Sequence, residues 1–212
     1  MGEVGGHYRT TRERVTTLLD GLDQGDGTRA VPACPGWTVH DLVAHMTGVP
    51  DDALNGRLDG IATDPWTAAQ VERGRGLSVA DLVTRWSEQG PVFEGLPLPP
   101  EAVVDLTTHE QDLRGALDRP GARDSDELLW AFALVADRTA TALPGLRIEA
   151  GGAAYGPADA ASVLRGEPFE LFRALLGRRS ETQLRALDWD GGPPTDLDGL
   201  TRFGPAAAPV IE

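Results

Sequence analysis

The chain predicts a mainly α-helical fold, an antiparallel helix bundle followed by a small mixed α/β domain. Three observations carry that expectation. Apolar residues recur at three- and four-residue spacing in five segments before residue 144, and capping residues with proline and glycine breaks separate those segments. Beyond Pro144 and Gly145 the pattern changes to alternation around a Gly-Gly pair. At 212 residues the chain is long enough for one large domain or two small ones, and the change of texture sets the expected division at 1–145 and 146–212.

The first helix is expected from about Tyr8 to Leu22, with Tyr8, Val15, Leu18, Leu19 and Leu22 on one side and Arg9, Arg12, Glu13 and Asp20 mostly outside. It ends in "DQGDGT". The stretch "CPGWTVHDLVAH", Cys34 to His45, reads as a proline and glycine turn running into a second helix. Thr38 is placed to cap it, Asp41 follows three residues on, and Val39, Leu42, Val43 and Met46 form its apolar face. That helix is expected to give out near Pro50. His45 falls at the edge of its apolar face, whereas His40 points away from it and is expected at the surface. "DDALNGRLDGIATDPW" reads as a helix tail followed by a loop. A third helix, Ser78 to about Gln89, repeats the capping pattern with Ser78 and Asp81, buries Val79, Leu82, Val83 and Trp86, and is closed by Gly90 and Pro91. "LPLPP" precedes a fourth, about Pro100 to Leu117, and "RPGARDS" leads to a fifth, about Asp126 to Leu143. In the second part "LRIEAGGAAYG" reads as a hairpin, "ASVLRG" as a strand and "EPFELFRALLGRRS" as a helix, with "FGPAAAPVIE" as a loosely held tail.

Charge and composition narrow the function classes. With 33 acidic against 19 basic side chains and a net charge of −14, the surface repels a phosphate backbone, so nucleic acid is not the expected partner. A small-molecule substrate fits better, with the chain a monomer or homodimer. One cysteine permits no internal disulfide, no apolar run approaches the ~20 residues of a membrane helix, and the opening lacks a signal-peptide core. A cytoplasmic location is expected. There is no Gly-rich phosphate loop, paired CxxC or GxSxG, so nucleotide, zinc-finger and serine-hydrolase chemistry have little support.

The fourth helix carries the most informative spacing. In "VVDLTTHEQDLRGAL", Asp105, His109 and Asp112 fall at i, i+4 and i+7 and form one polar stripe beside Leu106, Leu113 and Leu117. If the leucines face the core, the stripe lies at its rim, where carboxylate and imidazole demand partners. A divalent metal is such a partner. Carboxylate with imidazole suits zinc, nickel or iron, and His45 on the second helix is the natural further contributor. The plainer alternatives are a hydrogen-bonded structural histidine and a solvated i, i+4 pair. Cys34, with Trp37, is expected to pack the turn rather than attack a substrate.

"PACPGWTVHDLVAHM" resembles the N-terminal signature of the mycothiol-dependent maleylpyruvate isomerase family, a branch of the DinB-like helix bundles. An acid four residues before a histidine, with Asp-Leu three after it, matches that family's second motif at Asp105, His109 and Asp112-Leu113. "FELFRALLGRRSETQLRALDW" resembles the family's C-terminal appendage. The resemblance implies a DinB-like four-helix bundle binding a divalent metal, usually Zn2+, through His, Glu and His. Carried over, His45 matches the first ligand, His109 the last, and Asp105 stands where the family has Glu. Asp is one methylene shorter, so Asp112 is the alternative third ligand, or else the partner that orients His109 behind Asp105.

Such a site implies thiol activation. The metal holds mycothiol as thiolate for isomerisation of, or transfer to, a small electrophile. Arg178 or Arg179 in "LLGRRS" resembles the family's Gly-Arg and is a candidate to hold a substrate carboxylate, the alternative being a helix C-terminus complementing its dipole. Two other readings stand beside this one: a non-catalytic bundle that binds a small molecule or protein, and a metal-dependent hydrolase or lyase using metal-bound water.

Overall fold

The computed structural model describes residues 2–23, 25–195, 197 and 199–212. By packing, the chain divides into two compact units, Met1–Pro120 and Gly121–Glu212. The expected division at 145 follows the change from helix to strand, whereas the packing division places the last long helix with the sheet.

The first unit contains α1 (Glu3–Leu19), α2 (Val39–Leu54), α3 (Asp64–Gly74), α4 (Val79–Glu94) and α5 (Glu101–Leu117). Helix α1 packs against α4 and α5, and α2 packs against α4 and α5, which closes a four-helix ring with α3 laid on α2. Tyr8, Val15, Leu42, Met46, Trp86, Leu106 and Leu113 fill the centre and are essentially inaccessible to water. Two buried acids tie the ring together. Glu94 of α4 accepts from Arg9 at 2.8 Å and Arg12 at 2.6 Å, and Glu110 of α5 accepts from Arg14 through both oxygens at 3.1 and 2.8 Å. Charge-assisted pairs of this geometry are the strong kind, and here they fix α1 to both neighbours.

Local chemistry explains the helix ends. Thr38 and Asp41 form a reciprocal capping box on α2, and Ser78 and Asp81 form another on α4. Helix α1 begins five residues earlier than its apolar pattern suggests and ends at Leu19, leaving Leu22 in the following turn. Helix α2 continues through Pro50 to Leu54. Helix α3 stands where a loop is expected. It buries only Gln70, Val71 and Gly74, too thin a stripe to register as a period, and it depends on close approach to α2. A Cβ on Gly74 would lie 2.4 Å from that of Ala44, so only glycine lets the backbones come together.

The second unit contains α6 (Asp126–Ala142), β1 (Leu146–Ala150), β2 (Ala153–Tyr155), β3 (Ser162–Arg165), α7 (Pro168–Leu175), α8 (Glu181–Arg185) and β4 (Asp188–Asp190). Its sheet has the order β2-β1-β3-β4, antiparallel at both edges and parallel between β1 and β3. The Gly151-Gly152 hairpin joins β1 to β2 with both glycines at positive φ, as expected from the sequence. Helix α6 packs on α7 and on β1 and β2. Helix α8 and strand β4 are too short to show periodicity, and the sequence reading has neither. The C-terminal segment is held rather than loose: Val210 exchanges hydrogen bonds with the Gln183 amide, and the Glu212 carboxylate pairs with Arg173 and Arg179.

Candidate metal centre

The turn before α2 is a closed clip. Val31 N–H donates to the Trp37 carbonyl at 2.9 Å, and Cys34 and Trp37 close successive turns at 3.0 Å each. Gly36 sits at φ +86° and supplies the left-handed conformation this turn requires. The clip sets Trp37 against both histidines, its ring 5.4 Å from that of His45 and 6.3 Å from that of His109.

Three of the four predicted ligand candidates converge. His45 Nε2 lies 3.6 Å from Asp105 Oδ2, and His109 Nε2 lies 3.4 Å from Asp105 Oδ1. The imidazole rings stand 4.9 Å apart and nearly perpendicular. Ligands at ~2.0–2.1 Å around a tetrahedral ion are separated by about 3.3–3.4 Å, so these spacings suit a small divalent cation. Asp105 therefore reaches both histidines despite its shorter side chain. It is also the open member of the set, with a side chain 42 % exposed, while both histidines are buried.

Each histidine is anchored through Nδ1. His109 Nδ1 meets Asp112 Oδ2 at 2.9 Å, and His45 Nδ1 meets Gln70 Oε1 at 2.7 Å. Both partner atoms accept, so each Nδ1 carries a proton and Nε2, which faces Asp105, is the nitrogen each ring would turn to a cation, the arrangement that orients histidine ligands. Asp112 thus stands behind His109, on the side away from Asp105. It also accepts from the Cys34 thiol at 3.3 Å. Cys34, His109 and Asp112 form a second group whose ligand-type atoms lie close together, and within it Asp112 already holds the His109 Nδ1.

Electrostatics couples the cluster. Partial desolvation among the packed helices favours neutral Asp105, but the charge of His109 and hydrogen bonds with both imidazoles outweigh it and hold the carboxyl well below its usual range. Burial would likewise lower His109; the charge of Asp105 and hydrogen bonds with Asp105, Asp112 and Cys34 raise it well above 6.5 instead. Tyr8, buried in α1, is pushed well above its usual range by burial, opposed by Trp86 and reinforced by the Asp105 charge, so its phenol stays protonated.

Sequence reasoning missed Gln70, whose helix was not anticipated, and Asp52, which holds it. Trp66 of α3 also faces His45, with ring centroids 6.5 Å apart. His40 is half-buried, and its Nε2 bonds the Leu77 carbonyl at 2.8 Å. Arg178 and Arg179 belong to the second unit. Arg179 forms a two-pronged pair with Glu170 at 2.6 and 2.8 Å and also meets Glu212, while Arg178 donates to the Leu176 carbonyl.

Fold and site together define a class: mainly helical proteins whose bundle carries two Nδ1-anchored histidines facing one carboxylate. Within it, residues 8–97 match the family model of the mycothiol maleylpyruvate isomerase N-terminal domain. The cysteine-tryptophan turn lies inside this match, which supports the resemblance drawn from it. His45 lies inside the match, and Asp105 and His109 follow it. The fold is shared with a crystal structure of the mycothiol-dependent maleylpyruvate isomerase, at a TM-score of 0.59 and 13% identity over 91% of this chain and 93% of that one. The curated protein sequences hold no match to this chain. Among the described residues no helix is long and apolar enough to cross a membrane.

Proposed function

We propose that the chain is a divalent-metal-dependent enzyme that uses mycothiol, or a similar low-molecular-weight thiol, to isomerise or accept a small electrophilic substrate. The observation that carries this reading is the convergence of two histidine Nε2 atoms on Asp105, at 3.4 and 3.6 Å, with both Nδ1 atoms anchored behind. The donor set of two imidazoles and one carboxylate suits zinc and leaves room for further ligands.

His45, Asp105 and His109 would hold the ion. A bound divalent ion supplies deprotonation of a coordinating thiol at neutral pH, where a free cysteine-type thiol of pKa ~8.5 is mostly protonated. The residues contribute the rest. His45 and His109 present fixed lone pairs, Asp105 adds a negative charge at the exposed edge, and Trp37 shields the imidazole faces from water. Tyr8 remains a protonated phenol within the field of Asp105. Arg178 and Arg179 stay candidates for a substrate carboxylate, Arg179 by exchange for Glu170 and Glu212.

The test is maleylpyruvate turnover followed by absorbance, on zinc-loaded wild type and on His109→Ala, with and without mycothiol. The expected result is turnover that needs both mycothiol and His109. Turnover without thiol would favour metal-dependent hydrolysis or lysis, and metal binding without turnover on any electrophile screened would favour a binding bundle.

A further inference from the structure

We infer that Gln70, held by Asp52, is a positioning residue that fixes the tautomer and orientation of His45 toward a divalent cation. The inference rests on the metal reading above and assigns the other side of His45. Gln70 is only 1% exposed although it belongs to the thinly buried helix α3. Its amide is oriented by necessity. The Nε2 group donates to Asp52 Oδ2 at 2.8 Å, and a carboxylate only accepts, so Oε1 is the atom 2.7 Å from His45 Nδ1. An accepting oxygen there keeps a proton on Nδ1, which leaves Nε2, facing Asp105, as the nitrogen available to a cation.

Asp52 is equally fixed. It is 1% exposed, and its charge is met by Arg57 at 2.7 Å and by Arg73. The chain Arg57/Arg73, Asp52, Gln70, His45 therefore runs from the rim of α3 to the candidate site. Its last link depends on Gly48, one turn beyond His45 on α2. A Cβ at Gly48 would lie 2.7 Å from Gln70 Cβ and 2.8 Å from Cγ, so any larger residue displaces the glutamine at its base. Glycine in a helix interior otherwise costs about 0.5–1 kcal/mol relative to alanine.

The experiment is run on metal-free and zinc-titrated full-length chain, in wild type, Gln70→Ala and Gly48→Ala. Long-range proton–nitrogen spectra of the metal-free protein at pH 8 report whether Nδ1 of each histidine carries a proton, with His109 as the internal control for an intact site. The expected wild-type result is a proton on Nδ1 of both rings. In both variants His45 alone loses the fixed Nδ1 proton, and zinc affinity, measured by chelator competition, falls by about 10- to 100-fold. Unchanged His45 resonances with an affinity within twofold of wild type in Gln70→Ala would overturn the inference. A wild type that binds no divalent ion would overturn the metal reading instead, and the Nδ1 protons of the metal-free protein would still decide what Gln70 does to His45.

Discussion

What stands behind each histidine differs. His109 Nδ1 faces ionisable Asp112, whereas His45 Nδ1 faces a neutral amide. A carboxylate behind an imidazole strengthens it as a donor, and an amide only orients it. Asp112→Asn keeps an acceptor but removes the charge, so zinc affinity should fall by about 10- to 100-fold with the fold retained, as read by chelator competition beside circular dichroism. His45→Ala and His109→Ala should each abolish binding outright, as read by metal content per chain; a retained full complement in both would place the ion elsewhere. At this scale the sequence was informative. The i, i+4, i+7 spacing of Asp105, His109 and Asp112 put all three on one stripe, and the edge position of His45 pointed it inward. What spacing could not show was the division of labour, because Asp105 and Asp112 are equivalent on a helical wheel and separate only when the opposite nitrogens of His109 are located. Gln70 gave no signal because its partner lies 25 residues away.

Among elements, the long amphipathic helices were legible because their apolar positions repeat over several turns, and α2 and α4 also carry capping boxes. Helix α3 was not, since it is held by close approach to α2 at Gly48 and Gly74 rather than by an apolar stripe. The C-terminal segment read as loose because its restraints are side-chain bonds to Gln183 and ion pairs to Arg173 and Arg179, which leave no periodic trace. One of those arginines gives a pH prediction. The hydrogen bond from Arg179 lowers the Glu170 carboxyl below its ordinary 4.5, against the opposing effect of burial. A depressed carboxyl contributes stability that is full above the unfolded value and lost as pH falls through the folded one. Wild type should therefore exceed Glu170→Gln in urea midpoint at pH 7, and the difference should shrink as pH falls below 4.5 and vanish once it passes the lowered folded value. A difference that persists at low pH would mean that Glu170 acts through packing and not through its charge.

At the scale of the molecule, the mainly helical class and the small sheet follow from the change of pattern near residue 145, while packing groups α6 with the sheet in the second unit. The acidic surface, at net charge −14, favours attraction of divalent cations over anions in general and leaves selectivity to the cluster of His45, Asp105 and His109. The most direct measurement is zinc-edge X-ray absorption on the loaded, thiol-free protein, because it separates the two groups of ligand-type residues that share His109. The result expected is a shell of nitrogen and oxygen at about 2.0–2.1 Å with two imidazoles and no sulfur. A sulfur at about 2.3 Å would place the ion on Cys34 and Asp112 instead, and would contradict the site on which the proposed thiol chemistry depends.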